Sequence, residues 1–592
     1  MRTTVNIITK HGDNIMSTNE MTGSEIFVKS LIEENVEYMF GYPGGAVIGV
    51  YDAMHDMSHI KHILTRHEQG AVHAAEGYAK ATGKVGVVLV TSGPGATNTV
   101  TGVADAYMDS VPIVVFTGQV STHLIGNDAF QEADIIGITR SITKHNFLVK
   151  DVKQLAWTIK AAFHIASTGR PGPVVVDMPK DVMASKAPFL YPKEVKLRGY
   201  HPFYFGHMGQ INKAVEIINA SRKPVLYVGG GVINSNASTE LFNLAKKLNA
   251  PVAMTLMGLG AYPGDDKLSM GMLGMHGTWY SNVAVDQCDC LIAIGSRFDD
   301  RVTGNPAMFS PNSRKIHIDI DPSAISKNVK VDVPIVGDVR HVLERLTPLV
   351  NPLDTKEWLE QIEEWKAEHP LRYENGNEIR AQYVIEKIYE LTNGNAVITT
   401  DVGQNQMWTA QFYKFLNPRS NITSGGLGTM GFSFPAAMGA AFGVKDRPVF
   451  SINGDGGIQM NIQEMATAVS NKLPLKIVIL NNGYLGMVRQ WQDLFYKKRY
   501  SHVTLGNNPD FVKLAEAFGG AGFVADKTEE VVPTLEEAMK INDRPVIIDF
   551  RTIKEDNVFP MIPSAGTVAQ IIDYPKSVKE LEMAKTQSEA VK

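Results

Sequence analysis

Short runs of β-branched and apolar residues recur along the chain, each ending in glycine or a polar turn and leading into a stretch with helical spacing. The first group holds VGVVLV from Val85, VPIVVF from Val111 and GPVVVDM from Gly172. A second holds KPVLYVGGG from Lys223, LIAIG from Leu291 and KIHIDID from Lys315. The third holds AVITTDVG from Ala396, RPVFSINGDGG from Arg447, LKIVILNNG from Leu475 and RPVIIDF from Arg544. A run that is apolar without alternation is buried on both faces, the condition of a parallel strand covered by crossover helices. The pattern predicts an α/β fold of three consecutive doubly wound parallel-sheet domains. A first helix is expected from the capping box at Thr22 and Glu25, burying Ile26, Phe27, Leu31 and Ile32. Pro, Lys and Glu interrupt the pattern near 187–205 and 350–375. Domains are therefore expected at 21–190, 205–350 and 375–570, with a flexible extension at 1–20 and a tail at 575–592.

Composition narrows this reading little. A chain of 592 residues is too long for one core. Its 44% hydrophobic and 20% charged residues are ordinary globular values. A formal net charge of -5 gives no pull toward nucleic acid or anionic membrane. No apolar run reaches the roughly 18 residues that span a bilayer, and the first twenty residues lack the apolar core of a secretory signal. Cytoplasmic residence is expected. Cys288 and Cys290 stand one residue apart with no second pair, so they are expected to be two small apolar residues entering a strand. Histidines at 55, 59, 62, 67 and 73 superficially suggest a metal site, but no carboxylate or cysteine cluster completes it, and the intervening residues read as a helix running into a strand.

The chemistry concentrates in NGDGGIQMNIQEMATAVSNKLPLKIVILNNGYLGM, from Asn453 to Met487. One strand should end at Gly454-Asp455-Gly456, and the next at Asn481-Asn482, on the same edge of one sheet. Glycines around Asp455 let backbone N–H groups close on a phosphate at a helix N-terminus. Asp455, the Asn482 amide oxygen and a backbone carbonyl near Tyr484 form a set of hard oxygen donors suited to magnesium. A GDG turn alone is as well read as a capped glycine turn. Paired with a strand-ending NN one βαβ unit later, it resembles the signature of thiamine-diphosphate enzymes such as transketolases and decarboxylases.

Near the other end, HILTRHEQGAVHAAEGYAKATG sets Glu68 after a short strand and before a small-residue helix. Taken singly, Glu68 would be a solvated carboxylate. Thiamine gives it a role, because that cofactor needs a carboxyl group on its pyrimidine ring. The segments GYPGGAV from Gly41, RHEQGAVHAAEGYA from Arg66, TSGPGATN from Thr91 and DAFQEAD from Asp128 carry the resemblance further. So do GRPGPVVVDMPKDV from Gly169, GMHG from Gly274, SRFDDRVTGN from Ser296 and NNGYLGMVRQWQ from Asn481. Over about residues 20–570 the chain resembles the catalytic large subunit of acetohydroxyacid (acetolactate) synthase, in its FAD-containing biosynthetic form.

That resemblance implies three domains of the thiamine-diphosphate decarboxylase type: pyrimidine-binding, central FAD-binding, and diphosphate/Mg-binding. It implies Glu68 on the pyrimidine, and thiamine contacts from Tyr42, Pro94, Asn98, Gln131, Val402, Gly403, Gln404, Gly428, Met430, Gly454, Gly456, Gly457 and Met487. Met430 would prop the cofactor's bend. Asp455, Asn482 and the Tyr484 carbonyl would hold Mg2+. Flavin would lie near Arg170, Gly229, Gly230, Thr255, Leu256, Gly274, Met275, His276, Gly295, Arg297, Asp299, Arg301, Val302, Asp319, Ile320, Asp338 and Val339. FAD is implied because the FAD-free catabolic acetolactate synthases lack the RFDDRVTGN segment. The GGG from Gly229 is by itself as good a plain turn as a dinucleotide loop.

The implied reaction condenses pyruvate-derived hydroxyethyl-thiamine diphosphate with pyruvate or 2-ketobutyrate, releasing CO2. It forms 2-acetolactate or 2-aceto-2-hydroxybutyrate for branched-chain amino-acid biosynthesis. Arg301 would grip the acceptor carboxylate, Trp491 would pack on its alkyl group, and Lys180, Gln131, Phe130 and Gly44-Gly45 would complete the substrate side. An obligate homodimer or tetramer and a small regulatory subunit are implied as partners. Asn405 stands where many members carry histidine, Gly456-Gly457 where others have Ala-Ser, and Ser121 where many have proline. The alternative is a flavin-dependent pyruvate oxidase on the same scaffold. Glyoxylate carboligase is disfavoured because it lacks the carboxylate that Glu68 supplies.

Overall fold

The computed structural model describes residues 20–57 and 59–575, so the expected extension and tail lie almost wholly outside the described residues. Among the described residues there are three six-stranded sheets, every pairing within them parallel. The first has the order Lys61–Leu64, Tyr38–Tyr42, Gly86–Val90, Ile113–Gln119, Val174–Pro179, His145–Leu148. The second runs Ser269–Met272, Val252–Met254, Pro224–Val228, Cys290–Ile294, Arg314–Asp319, Val333–Val336. The third runs Asn421–Thr423, Val397–Thr400, Val449–Gly454, Lys476–Asn481, Val546–Arg551, Ala521–Ala525. The three doubly wound sheets expected from the apolar runs are all there. A short antiparallel pair, Glu20–Thr22 with Lys186–Pro188, stands apart from them.

The unbroken apolar runs have a direct cause in the two cores they serve. Val87, Leu89, Val114 and Phe116 face one core, where Phe27 meets Phe116 edge-on at 4.8 Å. Val88, Val90, Ile113 and Val115 face the other. Each fully buried aliphatic contributes about 1.5–3 kcal/mol, so both faces of these strands must be apolar. The Thr22 capping box forms as expected, with the Thr22 hydroxyl accepting from Glu25 N–H and the Glu25 carboxylate from Thr22 N–H.

The described residues divide into two compact units. Residues 20–203, 377–406 and 419–554 form one, which contains the first and third sheets; 204–376, 407–418 and 555–575 form the other, around the second sheet. In the first unit the second of the two cores is common to both sheets, with Ile477, Ile479 and Phe432 beside Val88 and Val90. Two small-residue helices, Glu68–Thr82 and Ser433–Gly443, make this possible. A Cβ on Gly439 would stand 1.8 Å from Ala74 O, and one on Gly77 2.0 Å from Ala436 O, so the helices touch backbone to backbone. In the second unit, segments beyond the linear boundary at 350 are hydrogen-bonded into it: Gly264 N–H donates to Phe415 O (2.9 Å) and Ile562 N–H to Met275 O (2.8 Å). Cys288 and Cys290 are free and buried, Cys290 opening its strand. No helix among the described residues is long and apolar enough to cross a membrane.

Candidate active site

In a doubly wound sheet, ligands collect at the carboxyl ends of strands where the strand order reverses. In the third sheet that point lies between Val397–Thr400 and Val449–Gly454, with Lys476–Asn481 alongside. The three turns leaving these strands carry Asp401-Val402-Gly403-Gln404, Gly454-Asp455-Gly456 and Asn482-Gly483-Tyr484. Asp455 is 1% exposed. Its Oδ2 accepts from Asn508 Nδ2 at 2.6 Å, and its buried Oδ1 has no hydrogen-bond partner. Burial pushes the carboxyl up to about 6, and a cation at Oδ1 would relieve that penalty. Asn482, also buried, accepts from Tyr484 N–H at 3.0 Å and donates to Gln404 Oε1 at 3.2 Å. Its amide oxygen keeps a second lone pair. An orphaned carboxylate oxygen, an amide oxygen and a nearby main-chain carbonyl fit magnesium as a donor set.

Around Asp455 the glycines leave a cradle. A Cβ on Gly403 or Gly454 would come within 3.3 and 3.2 Å of Asn405 Nδ2, so that amide lies against both turns. Asn405 thus keeps an N–H donor where the resemblance expected histidine. A Cβ on Gly456 would approach Leu485, Leu505 and, at 3.7 Å, the Met430 methyl, placing Met430 beside the GDG turn. Gly428 is in the left-handed region (φ +74), facing Val402. Asp401, which the sequence reading missed, is buried and pushed up to about 7 by desolvation. It accepts from Val402 and Gly431 N–H, bracing the two loops that carry Val402 and Met430. Met487 and Trp491 lie half-buried on the helix Gly486–Phe495, with Trp491 5.4 Å from the Phe495 ring.

In the first sheet the reversal lies between Tyr38–Tyr42 and Gly86–Val90. Glu68 follows the neighbouring Lys61–Leu64 strand and opens its helix, with His67 as N-cap accepting from Gln69 N–H. Its Oε2 accepts from Asn98 Nδ2 at 2.9 Å, and a Cβ on Gly95 would approach Oε1 to 3.5 Å. Glu464, fully buried and missed from sequence, holds this turn from below. Its Oε1 accepts from Arg66 N–H (2.9 Å) and His67 N–H (3.0 Å), and its Oε2 from the Thr467 hydroxyl (2.7 Å). Gln131, at φ +59, stands over Gly93. Gly44 packs on Thr91, Tyr42 is exposed at its strand's end, Pro94 is exposed at the start of the helix Pro94–Thr97, Lys180 follows the Val174–Pro179 strand, and Phe130 is 88% exposed.

The second unit gathers most of the remaining predicted positions at one edge of its sheet. Gly229-Gly230, Thr255-Leu256, Gly295, Asp319-Ile320 and Asp338-Val339 follow, or close, five adjacent parallel strands. A Cβ on Gly229 would meet Gly295 O at 2.2 Å, so the glycines there serve a close approach of two strand ends. Asp338 caps its helix by accepting from His341 N–H. Gly274 takes φ +102 against the Arg301 carbonyl, which accepts from Met275 N–H at 2.7 Å, with Val302 alongside. Arg297 pairs with Asp299 at 2.7 Å. His276 is buried and its Nδ1 has no hydrogen-bond partner. Glycine-lined strand ends with an orphaned ring nitrogen suit a large, polar ligand such as a dinucleotide. Two predicted residues stand apart. Arg170 belongs to the first unit, where its Nε donates to Ser110 Oγ at 2.8 Å. Arg301 belongs to the second unit, its side chain 59% exposed beside Asp300, whereas Glu68, Lys180 and Trp491 are in the first.

Comparison with known proteins defines the class. Residues 21–138 match the family described as thiamine pyrophosphate enzyme, N-terminal TPP binding domain. Residues 211–346 match the central domain of thiamine pyrophosphate enzymes, and 401–550 their C-terminal TPP binding domain. The acetolactate synthase large subunit of Haemophilus influenzae is 50% identical over 562 residues, covering 93% of this chain and 98% of that protein. The acetolactate synthase isozyme 3 large subunit of Escherichia coli is 50% identical over 553 residues, covering 91% and 96%. The acetolactate synthase large subunit of Corynebacterium glutamicum is 50% identical over 565 residues, covering 94% and 90%. The chain belongs to the family of acetolactate synthase large subunits.

Proposed function

We propose that this chain condenses pyruvate with a second 2-keto acid, pyruvate or 2-ketobutyrate, releasing CO2 and forming 2-acetolactate or 2-aceto-2-hydroxybutyrate. The reaction serves branched-chain amino-acid biosynthesis in the cytoplasm. The observation that carries the reading is the pair of strand-end carboxylates: Glu68 at the first sheet's reversal point and Asp455, with its orphaned oxygen, at the third's. Thiamine diphosphate, when bound, supplies the carbon nucleophile and the electron sink. Glu68 holds a proton at the pyrimidine nitrogen, with Asn98 fixing the carboxyl by one hydrogen bond. Asp455, Asn482 and the Tyr484 carbonyl hold Mg2+, while the Gly403, Gly454, Gly456 and Gly457 backbone, Gln404 and Asn405 receive the diphosphate. Tyr42, Pro94, Gln131, Val402, Gly428, Met430 and Met487 line the remaining cofactor surface, and Met430 excludes water from its face.

Lys180, Gln131, Phe130 and the Gly44-Gly45 turn meet substrate. Trp491 covers the acceptor's alkyl group and Arg301 its carboxylate, the guanidinium fork matching that anion. FAD takes the glycine-lined edge of the second sheet, at the positions described above. The domains are pyrimidine-binding (21–190), FAD-binding (205–350) and diphosphate-binding (375–570), assembled as a homodimer or tetramer with a small regulatory subunit. The test is an assay of the purified chain with pyruvate, Mg2+, thiamine diphosphate and FAD, reading acetolactate as acetoin after acid treatment. Acetolactate production is the expected result. Pyruvate consumption yielding acetate and reduced flavin would move the chain to the oxidases.

A further inference from the structure

One face of the helix Glu68–Thr82 carries His73, Glu76 and Lys80, and it points into the core shared by the first and third sheets rather than toward Glu68's turn. Opposite stands Asp105, on the helix Val100–Asp109. His73, Glu76 and Asp105 are each 0% exposed. His73 Nδ1 lies 2.9 Å from Glu76 Oε1 and 4.0 Å from Asp105 Oδ2, and one donor atom from each residue lies within 4.8 Å of the others. Ligands bound at about 2.0–2.2 Å to one ion stand about 3–4.4 Å apart, so the widest of these spacings would close by a few tenths of an ångström around an ion.

Charge and hydrogen bonding decide what such a cluster holds. Lys80 is the neighbouring cation, but its ammonium is engaged by Asp109 at 2.7 Å and by the Thr423 carbonyl. Asp105 Oδ1 accepts from the Ser424 hydroxyl at 2.8 Å. That leaves Glu76 Oε2 and Asp105 Oδ2, both buried and both without a hydrogen-bond partner. One proton is shared in the 2.9 Å hydrogen bond between His73 Nδ1 and Glu76 Oε1, and no hydrogen bond joins the two carboxyls, so Oε2 and Oδ2 stay uncompensated. Burial pushes both carboxyls up and the imidazole down, the response of a cluster whose own side chains do not supply the compensating charge. Gln69 Nε2, 3.4 Å from His73 Nε2, is placed to orient the ring.

We propose that His73, Glu76 and Asp105 form a buried site for a divalent transition-metal ion, zinc or manganese in chemistry, separate from the magnesium proposed at Asp455. One nitrogen and two carboxylates are a borderline-hard set, and a second carboxylate oxygen is available to complete four-coordination. The ion balances two buried negative charges at the seam between the sheets, so it is loaded as the chain folds. This proposal stands independently of the reaction.

The experiment is elemental analysis of the untagged full-length chain, expressed in zinc- and manganese-supplemented medium and dialysed against EDTA before magnesium is restored. The expected content is about one transition-metal equivalent per chain, retained through dialysis, falling below about 0.1 in Asp105→Asn and Glu76→Gln. Asp455→Asn keeps it. Wild-type chain with less than about 0.1 equivalent overturns the proposal and leaves protons as the neutralising charge, whether or not the variants fold. Full retention of the ion by Asp105→Asn and Glu76→Gln overturns it equally.

Discussion

Glu464 offers the sharpest test of how the Glu68 turn is held. Replacing it by alanine removes three hydrogen bonds at once: those from Arg66 N–H, His67 N–H and the Thr467 hydroxyl. Two backbone donors are then left without an acceptor in a closed space, where a Cβ on Gly70 would lie 2.6 Å from the missing carboxylate oxygen. Bonds to a carboxylate are worth about 1.5–3 kcal/mol each, and relief from burying the acid returns part of that. The local cost is about 3–5 kcal/mol. Glu464→Gln keeps a carbonyl oxygen for both N–H groups and costs about 1 kcal/mol. Hydrogen exchange of the peptide spanning Arg66 and His67 reads this directly, since about 1.4 kcal/mol is tenfold in opening. The alanine variant should exchange at least about 100-fold faster there, the glutamine variant about fivefold. Because the turn presents Glu68, kcat should fall in the same order while substrate KM changes less. Unchanged exchange and unchanged kcat in Glu464→Ala would refute the reasoning.

Asn508→Ala frees Asp455 Oδ2 from its 2.6 Å partner; activity should then need about 10-fold more magnesium, read by metal titration. Gly439→Ala forces a Cβ to within 1.8 Å of Ala74 O. It should destabilise the first unit by about 3 kcal/mol in thermal unfolding, whereas Gly376→Ala, which meets nothing within 4 Å, should be silent. Asp177, buried beneath Thr117 and Gln119, has its carboxyl raised to about 7 by desolvation. Its folded value exceeds its unfolded one, so the stability it contributes is present below the ordinary carboxylate range and lost as pH rises through about 7. Stability of Asp177→Asn relative to wild type should therefore climb by about 3 kcal/mol between pH 4 and 8, measured by denaturant unfolding.

What was legible from the sequence follows from physical necessity. Ten strands announced themselves because both faces are buried, and the small-residue helix after Glu68 because it must touch another backbone. Of the strands that went unread, Val252–Met254 and Asn421–Thr423 have only three residues each, and Tyr38–Tyr42 lacks a continuous β-branched run, carrying Gly41 and ending on exposed Tyr42. Asp455 and Asn482 were readable because a phosphate-binding turn and a metal need those residue types at strand ends. Glu464, Asn508 and Asp401 were not, since each acts on residues far along the chain or through main-chain N–H groups. Spacing carries no trace of such bonds. The histidine run illustrates the same limit: His55 is exposed beside Asp56, His62 meets the Tyr51 hydroxyl, and His67 caps a helix. Contrary to the expectation of no carboxylate cluster, His73 meets two buried carboxylates, Glu76 and Asp105, the second of them on a different helix.

The most direct test of the central claim is Glu68→Gln in the fully reconstituted enzyme. Two rates are measured together: acetolactate formation and deuterium exchange at the thiamine C2 position. The account predicts that both fall by at least about 100-fold while thiamine diphosphate and Mg2+ still bind, since only proton holding at the pyrimidine is lost. Rates within about threefold of wild type would contradict it.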